Sequence, residues 1–184
     1  TCVRQFADFG ADVIKIEPPL AIETDTMMGP RHGSNMQNMH RNKRALTLNI
    51  KEPRGLEIFF KLVKTADVVV ENYRPDVKRR LGIDYESLKK INRRIILASV
   101  SGFGEDGPYR DRPGFDQIAQ GMGGLMSVTG FPGEGPVRAG AAVADFTAGL
   151  FAALGIMTAV IERERSGEGQ WVQSNLLQSQ IALL

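Results

Sequence analysis

Cysteine is almost absent from this chain of 184 residues, Cys2 being the only one. A single thiol excludes an internal disulfide and any cysteine-built metal cluster. It fits a reducing compartment, so a cytoplasmic location is expected. Histidine is equally scarce: His32 and His40 stand without Cys or Asp partners at ligand spacing, and no metal site is expected. An excess of one charge is lacking too. Lys+Arg 23 against Asp+Glu 21 leaves +2, which calls for neither a nucleic acid nor an acidic membrane as partner. No G-x-G-x-x-G follows a predicted strand, there is no Walker A sequence, and no elbow motif supports a serine nucleophile. The apolar run Phe146–Ile161 is shorter than the roughly 20 residues of a membrane span, and no signal peptide is visible.

What is present is the pattern of a soluble α/β domain. Hydrophobic residues at 42% and charged residues at 24% suffice for one sizeable core. Strands are predicted over Asp12–Glu17, Ala45–Ile50, Asp67–Glu71, Arg94–Val100 and Gln170–Ser174. Helices are predicted over Leu56–Thr65, Asp76–Leu81, Tyr85–Ile91 and Phe115–Met126, with a long one opening near Asp145 and stopping at Ser166-Gly167. Residues 20–41, 102–114 and 129–142 read as loops. Alternation of strands and helices predicts a Rossmann-like parallel sheet with helices on both faces, and ligands of such sheets bind at the carboxyl ends of the strands.

Asp145 is the most informative single residue. It stands in Val143-Ala144-Asp145-Phe146-Thr147-Ala148-Gly149-Leu150, before a helix patterned to be buried, among small residues that leave room for a ligand. By itself this reads as a helix cap. Two cationic clusters, Arg41-Lys43-Arg44 and Arg74-Lys78-Arg79-Arg80, read either as solvated surface or as partners for phosphate oxygens.

Several segments occur in a telling order: Asp8-Phe9-Gly10-Ala11-Asp12-Val13-Ile14-Lys15-Ile16-Glu17, Asn42-Lys43-Arg44-Ala45-Leu46-Thr47-Leu48-Asn49, and Ala66-Asp67-Val68-Val69-Val70-Glu71-Asn72-Tyr73-Arg74-Pro75. They are followed by Ser101-Gly102-Phe103-Gly104, Gly114-Phe115-Asp116, the Asp145 segment, and Ser166-Gly167-Glu168-Gly169-Gln170. With these the chain resembles the class III CoA-transferase family, which includes formyl-CoA transferase, carnitine CoA-transferase and bile-acid-inducible protein F.

The resemblance implies that Asp145 is the nucleophile. It implies transfer of CoA from an acyl-CoA thioester to a free carboxylic acid through an aspartyl anhydride and an aspartyl-CoA thioester. CoA enters as substrate, with no prosthetic group. The CoA-contacting positions it implies are Leu48, Asn49, Ile50, Lys51, Asn72, Tyr73, Arg74, Arg80, Arg112, Pro113, Gly114 and Phe115. Two features depart from the family: Pro18 stands where formyl-CoA transferase has an arginine that touches CoA, and residues 20–25 lack the usual Gly-Asp followed by arginine. The resemblance further implies an incomplete large domain over residues 1–184, without a first strand, a small domain and a returning C-terminal segment, and an interlinked homodimer at full length. α-Methylacyl-CoA racemase is similar as well, but its proton shuttle needs a histidine where Phe115 stands. A CoA-binding or dimerisation module without catalysis is the third reading.

Overall fold

The computed structural model describes residues 1–20 and 33–184. The sequence departure over 21–25, most of the predicted loop over 20–41, and His32 lie outside the described residues. The elements run α1 (Cys2–Asp8), β1 (Ile14–Glu17), α2 (Ser34–His40), β2 (Arg44–Thr47), α3 (Pro53–Val63), β3 (Val68–Glu71) and α4 (Pro75–Leu81). They continue with α5 (Tyr85–Ile91), β4 (Ile96–Ser101), α6 (Asp116–Met122), α7 (Val143–Ser166), β5 (Trp171–Asn175) and α8 (Leu176–Ala182). All pairings among the described strands are parallel. They form two sheets, β1-β2 and β3-β4-β5, where the pattern predicted one.

The three-stranded sheet carries the core. Side chains alternate across a strand. Val69, Leu97 and Trp171 therefore face the cluster built by Phe59 and Val63 of α3 and Leu88 of α5. Val68, Val70, Ala98, Val100 and Val172 face α1 and α7 through Cys2, Ala152 and Ile156. β4 lies between the other two strands, and Ile96, Leu97 and Ala98 are fully buried. A parallel sheet covered on both faces reads as a run of apolar residues, which is why these strands were legible. Ile16 of β1, with Leu48 and Ile50 beyond β2, packs on the α3–α5 side, so both sheets share one core.

Local chemistry sets the ends. Asp84 caps α5, its Oδ1 accepting the Ser87 N–H at 3.1 Å. Gly167 closes α7 at φ 77°, a left-handed conformation that favours glycine. Arg163, buried in the last turn of α7, reaches Asp67 Oδ1 at 3.0 Å and so fastens the helix to the start of β3.

Three expectations need correction. Residues 34–40 are helical rather than loop; Met36 alone is buried there, so the sequence had no apolar stripe to reveal the helix. The helix predicted over Phe115–Met126 ends at Met122, and after Gly124, at φ 93°, a 3-10 turn covers Leu125–Val128. The third concerns α7, expected to be a buried helix with a polar last turn. Only one stripe is covered, mostly small residues such as Ala144, Ala148, Ala152 and Ala159, while Phe146, Leu150, Phe151, Leu154, Met157 and Ile161 are exposed. At 24 residues, α7 is also long and apolar enough by length and composition to cross a membrane. Here its small-residue stripe lies against α1, β4, β5 and α8.

The two ends of the loop that joins β4 to α6 touch backbone to backbone. A Cβ on Gly102 would stand 2.4 Å from Gly114 Cα, and one on Gly114 would stand 2.2 Å from Gly102 Cα. Neither neighbour is a side chain that can swing away. Gly102→Ala should therefore cost about 1–3 kcal/mol through forced backbone shifts. Urea unfolding should show a lower midpoint with an unchanged slope; an unchanged midpoint would mean the two ends of the loop part freely.

Candidate active site

The helix start at Asp145 differs from the cap geometry that its sequence allows. α7 begins at Val143, Ala142 is the capping position, and no side chain of the cap residue bonds the helix. Asp145 lies in the first turn, and the capping acid comes from elsewhere. Asp116 Oδ1, buried at the start of α6, accepts the Ala144 N–H at 2.9 Å and lies 3.4 Å from the Asp145 N–H. Asp145 thus keeps its own carboxylate out of the cap. Two of the first-turn N–H groups are thereby taken by Asp116 and do not face an open oxyanion position.

Asp116 is itself braced. Its Oδ2 accepts from Gln120 Nε2 at 2.7 Å, and Arg138 Nη2 stands 3.8 Å away. Gln120 is fully buried. It also donates to Ala141 O and accepts from Ala139 N, both at 3.0 Å, which fixes the segment leading into α7. Asp116 stands in the Gly114-Phe115-Asp116 motif, and the motif alone assigns it no role. The available clue was Asp116 and Gln120 four residues apart, on one face of a helix.

The pKa of Asp145 is raised above the ordinary carboxylate value, first by desolvation and second by the negative charge of Asp116. The direction is opposite to the one a helix dipole alone would impose on a first-turn carboxylate. The partial positive charge of a helix start acts through its unsatisfied N–H groups, and a full carboxylate already sits on them. The Asp145 residue still reaches solvent, which moderates the effect.

The remaining predicted residues follow the carboxyl ends of the strands. Leu48, Asn49 and Ile50 form a half-buried turn after β2, with Asn49 Oδ1 accepting the Lys51 N–H at 3.1 Å and Lys51 exposed. Asn72, Tyr73 and Arg74 are exposed after β3, and Arg80 is exposed near the end of α4, with no ion pair among the described residues. Arg112, Pro113, Gly114 and Phe115 precede α6. The Arg112 guanidinium lies 4.2 Å from the Tyr109 ring centroid, Gly114 touches Gly102, and Phe115 is 52% exposed. The chain joins this last segment to Asp145 through Asp116. Among the described residues, no hydrogen bond or ion pair links Arg80 or the Asn72–Arg74 turn to Asp145.

The cationic clusters change membership. Arg41 binds Asp8 and Arg44 binds Asp12, while Lys43 Nζ donates to Met39 O at 2.8 Å, so the first cluster is spent internally. Lys78 turns inward and is 1% exposed, which leaves Arg74, Arg79 and Arg80 at the surface. Beside β1 and β2 a cavity of about 450 Å³ is lined by Lys15, Glu17, Met36, His40 and Lys43, among others. Burial, then the charges of Lys15 and Lys43, push His40 down to about 4. No group of three or more His, Cys, Asp or Glu able to hold a metal occurs among the described residues.

With this geometry in place, comparison with known proteins identifies the family. The chain matches CoA-transferase family III over residues 1–184 and belongs to it. It is 42% identical, over 98% of its length, to succinate–glutarate CoA-transferase of Agrobacterium fabrum, and covers 48% of that protein. It is 41% identical, over 94% of its length, to formyl-CoA:oxalate CoA-transferase of Rhodopseudomonas palustris, and covers 41% of it. A CAIB/BAIF family protein from Brucella suis has the same fold, with a TM-score of 0.88 and 38% identity over 97% of this chain and 49% of that one. The chain thus spans about half the length of the curated relatives it matches.

The raised pKa of Asp145 has a consequence for stability. Where the folded-state value exceeds the unfolded one, the native state binds the extra proton, so stability falls as pH rises through that interval. Asp145→Asn cannot ionise and escapes this loss. The variant should melt above the wild type at neutral pH, and the gap should close in acid below the ordinary carboxylate range. Thermal melts over that span check it; a gap independent of pH would refute the raised value.

Proposed function

We propose that this member of CoA-transferase family III transfers CoA from an acyl-CoA thioester to a free carboxylic acid, with Asp145 as nucleophile. The observation that carries the reading is the first turn of α7, where Asp116 supplies the cap and the Asp145 carboxylate, partly desolvated, has no hydrogen-bond or ion-pair partner among the described residues. A carboxylate relieved of hydration and made more basic is the better nucleophile.

In the proposed sequence, an Asp145 oxygen bonds to the thioester carbonyl carbon. The C–S bond breaks, leaving CoA thiolate and an acyl–aspartyl anhydride. The thiolate then attacks the aspartyl carbonyl, which releases the donor acid as a carboxylate and leaves aspartyl-CoA thioester. The acceptor carboxylate attacks this thioester and expels thiolate again, forming a second anhydride. Attack of the thiolate on the acceptor's acyl carbon yields the new acyl-CoA and restores Asp145. Every step exchanges one carboxylate or thiolate for another, so no net proton is required. The relatives' names place succinate, glutarate and oxalate first among acids to test.

CoA recognition is assigned to the turns after β2 and β3, to Arg80 and to residues 112–115. Arg80 supports this reading by standing exposed and without an ion pair among the described residues. Proton exchange of the racemase kind has no support at Phe115, whose ring carries no exchangeable proton. Assembly as a dimer in a cytoplasmic setting completes the proposal, and the exposed face of α7 offers apolar surface for further polypeptide.

In the intact protein, Asp145→Ala should abolish transfer while CoA affinity stays within a few-fold. Mass spectrometry after mixing wild type with an acyl-CoA should detect a covalent adduct on Asp145. Turnover by the alanine variant would sink the nucleophile assignment. α-Proton exchange without an adduct would favour racemisation, and binding with neither would leave a binding module.

A charged hydrogen bond to phosphate contributes about 1.5–3 kcal/mol. Arg80→Ala should therefore raise the CoA dissociation constant at least roughly tenfold. Calorimetric titration with CoA checks this, and an unchanged constant would return Arg80 to ordinary surface.

A further inference from the structure

Beneath the turn after β3 lies a buried charge cluster that the proposed chemistry does not use. Lys78 of α4 is 1% exposed, and all three of its ammonium protons find acceptors. Nζ stands 3.1 Å from Glu71 Oε1 and 3.1 Å from Ser99 Oγ, and it also bonds Glu105 Oε1. Trp171 closes the cluster: its Nε1 donates to Ser99 Oγ at 2.8 Å, and its ring centroid lies 5.0 Å from Nζ. Glu71 and Glu105 are both buried, and Glu105 Oε2 has no hydrogen-bond partner among the described residues. Two carboxylates therefore share one ammonium.

Burying such a set is costly and adds little stability compared with apolar packing. Its placement shows what it accomplishes. Glu71 is the last residue of β3, and its second oxygen, Oε2, accepts the backbone N–H of Tyr73 at 2.7 Å. Among the described residues this is the bond that holds the middle of the Asn72–Arg74 turn, where strand pairing has ended. The same ammonium grips Glu105 in the loop that leaves β4. One lysine thus ties the exits of two neighbouring strands to each other, and one carboxylate passes that constraint to the turn.

We propose that Glu71, held by Lys78, is a positioning residue that pre-forms the Asn72–Arg74 turn for CoA. The proposal rests on the reading that this turn binds CoA. A turn ordered in advance loses less entropy on binding, so the benefit appears in affinity and not in the chemical step.

The test uses Glu71→Gln in the intact protein. This change removes one of two carboxylates around a single ammonium. Lys78 keeps Glu105 as its counter-ion, so no buried charge is left unpaired. The carboxylate acceptor for the Tyr73 N–H is weakened.

Calorimetric titration with CoA should give a dissociation constant raised by about tenfold, with KM for acyl-CoA rising in parallel and kcat nearly unchanged. Ser99→Ala breaks the same cluster without touching the turn. Its CoA dissociation constant should stay within about twofold of wild type, whatever its melting temperature.

Wild type that fails to bind CoA sinks the CoA reading itself. Wild type that binds, with Glu71→Gln binding equally well, overturns only the positioning role. Equal weakening by Ser99→Ala also overturns it, by making the cluster merely structural. Should Glu71→Gln not fold, amide exchange at Tyr73 in the free wild-type protein decides. Protection supports a pre-formed turn, and exchange at the rate of an open chain overturns it.

Discussion

The bond from Asp116 to the first turn of α7 is the constraint on which the candidate site depends. A helix of 24 residues leaves its first N–H groups without intrahelical partners, and its own capping position is an alanine. Asp116 supplies the missing acceptor from α6. Its position is secured by the Gly102–Gly114 contact a few residues earlier and by Gln120 one turn later. The loop after β4, α6 and the start of α7 are therefore tied into one piece. Asp145 inherits its location from that piece and its raised basicity first from desolvation, then from the neighbouring carboxylate.

The site combines two kinds of buried polar arrangement. Around Asp116, one carboxylate meets backbone and amide donors. Around Lys78, two carboxylates meet one ammonium. Both lie at strand exits, and both stabilise loops that the sheet itself does not hold. A sheet covered on two faces confines irregular backbone to its ends. Ordered ends then require polar partners brought from other elements, because water is excluded there.

α7 shows how composition hides placement. Its small-residue stripe, with Ile156, lies on the sheet because small residues permit close approach, and Phe146, Leu150, Phe151, Leu154, Met157 and Ile161 point the other way. A helix apolar on all sides gives no periodic signal of which face is covered. The same ambiguity makes its length and hydropathy fit a membrane span, while here one face packs on the sheet and the other is exposed.

The sequence by itself determined the strand–helix alternation, the cap at Asp84, the stop at Gly167 and the place of Asp145 near a helix start. Each of these rests on local chemistry or on burial of a whole run, and neighbours in the chain carry that information. It also determined the family, through motifs spread over nearly the whole chain. The tertiary structure alone decided that Asp116 caps α7, that Lys78 leaves the surface cluster to pair inward, and that Arg41 and Arg44 are spent on Asp8 and Asp12. These are pairings between residues 27–33 positions apart. Charge type and spacing along the chain cannot fix them, because the partner is chosen by how helices and strand exits pack in space.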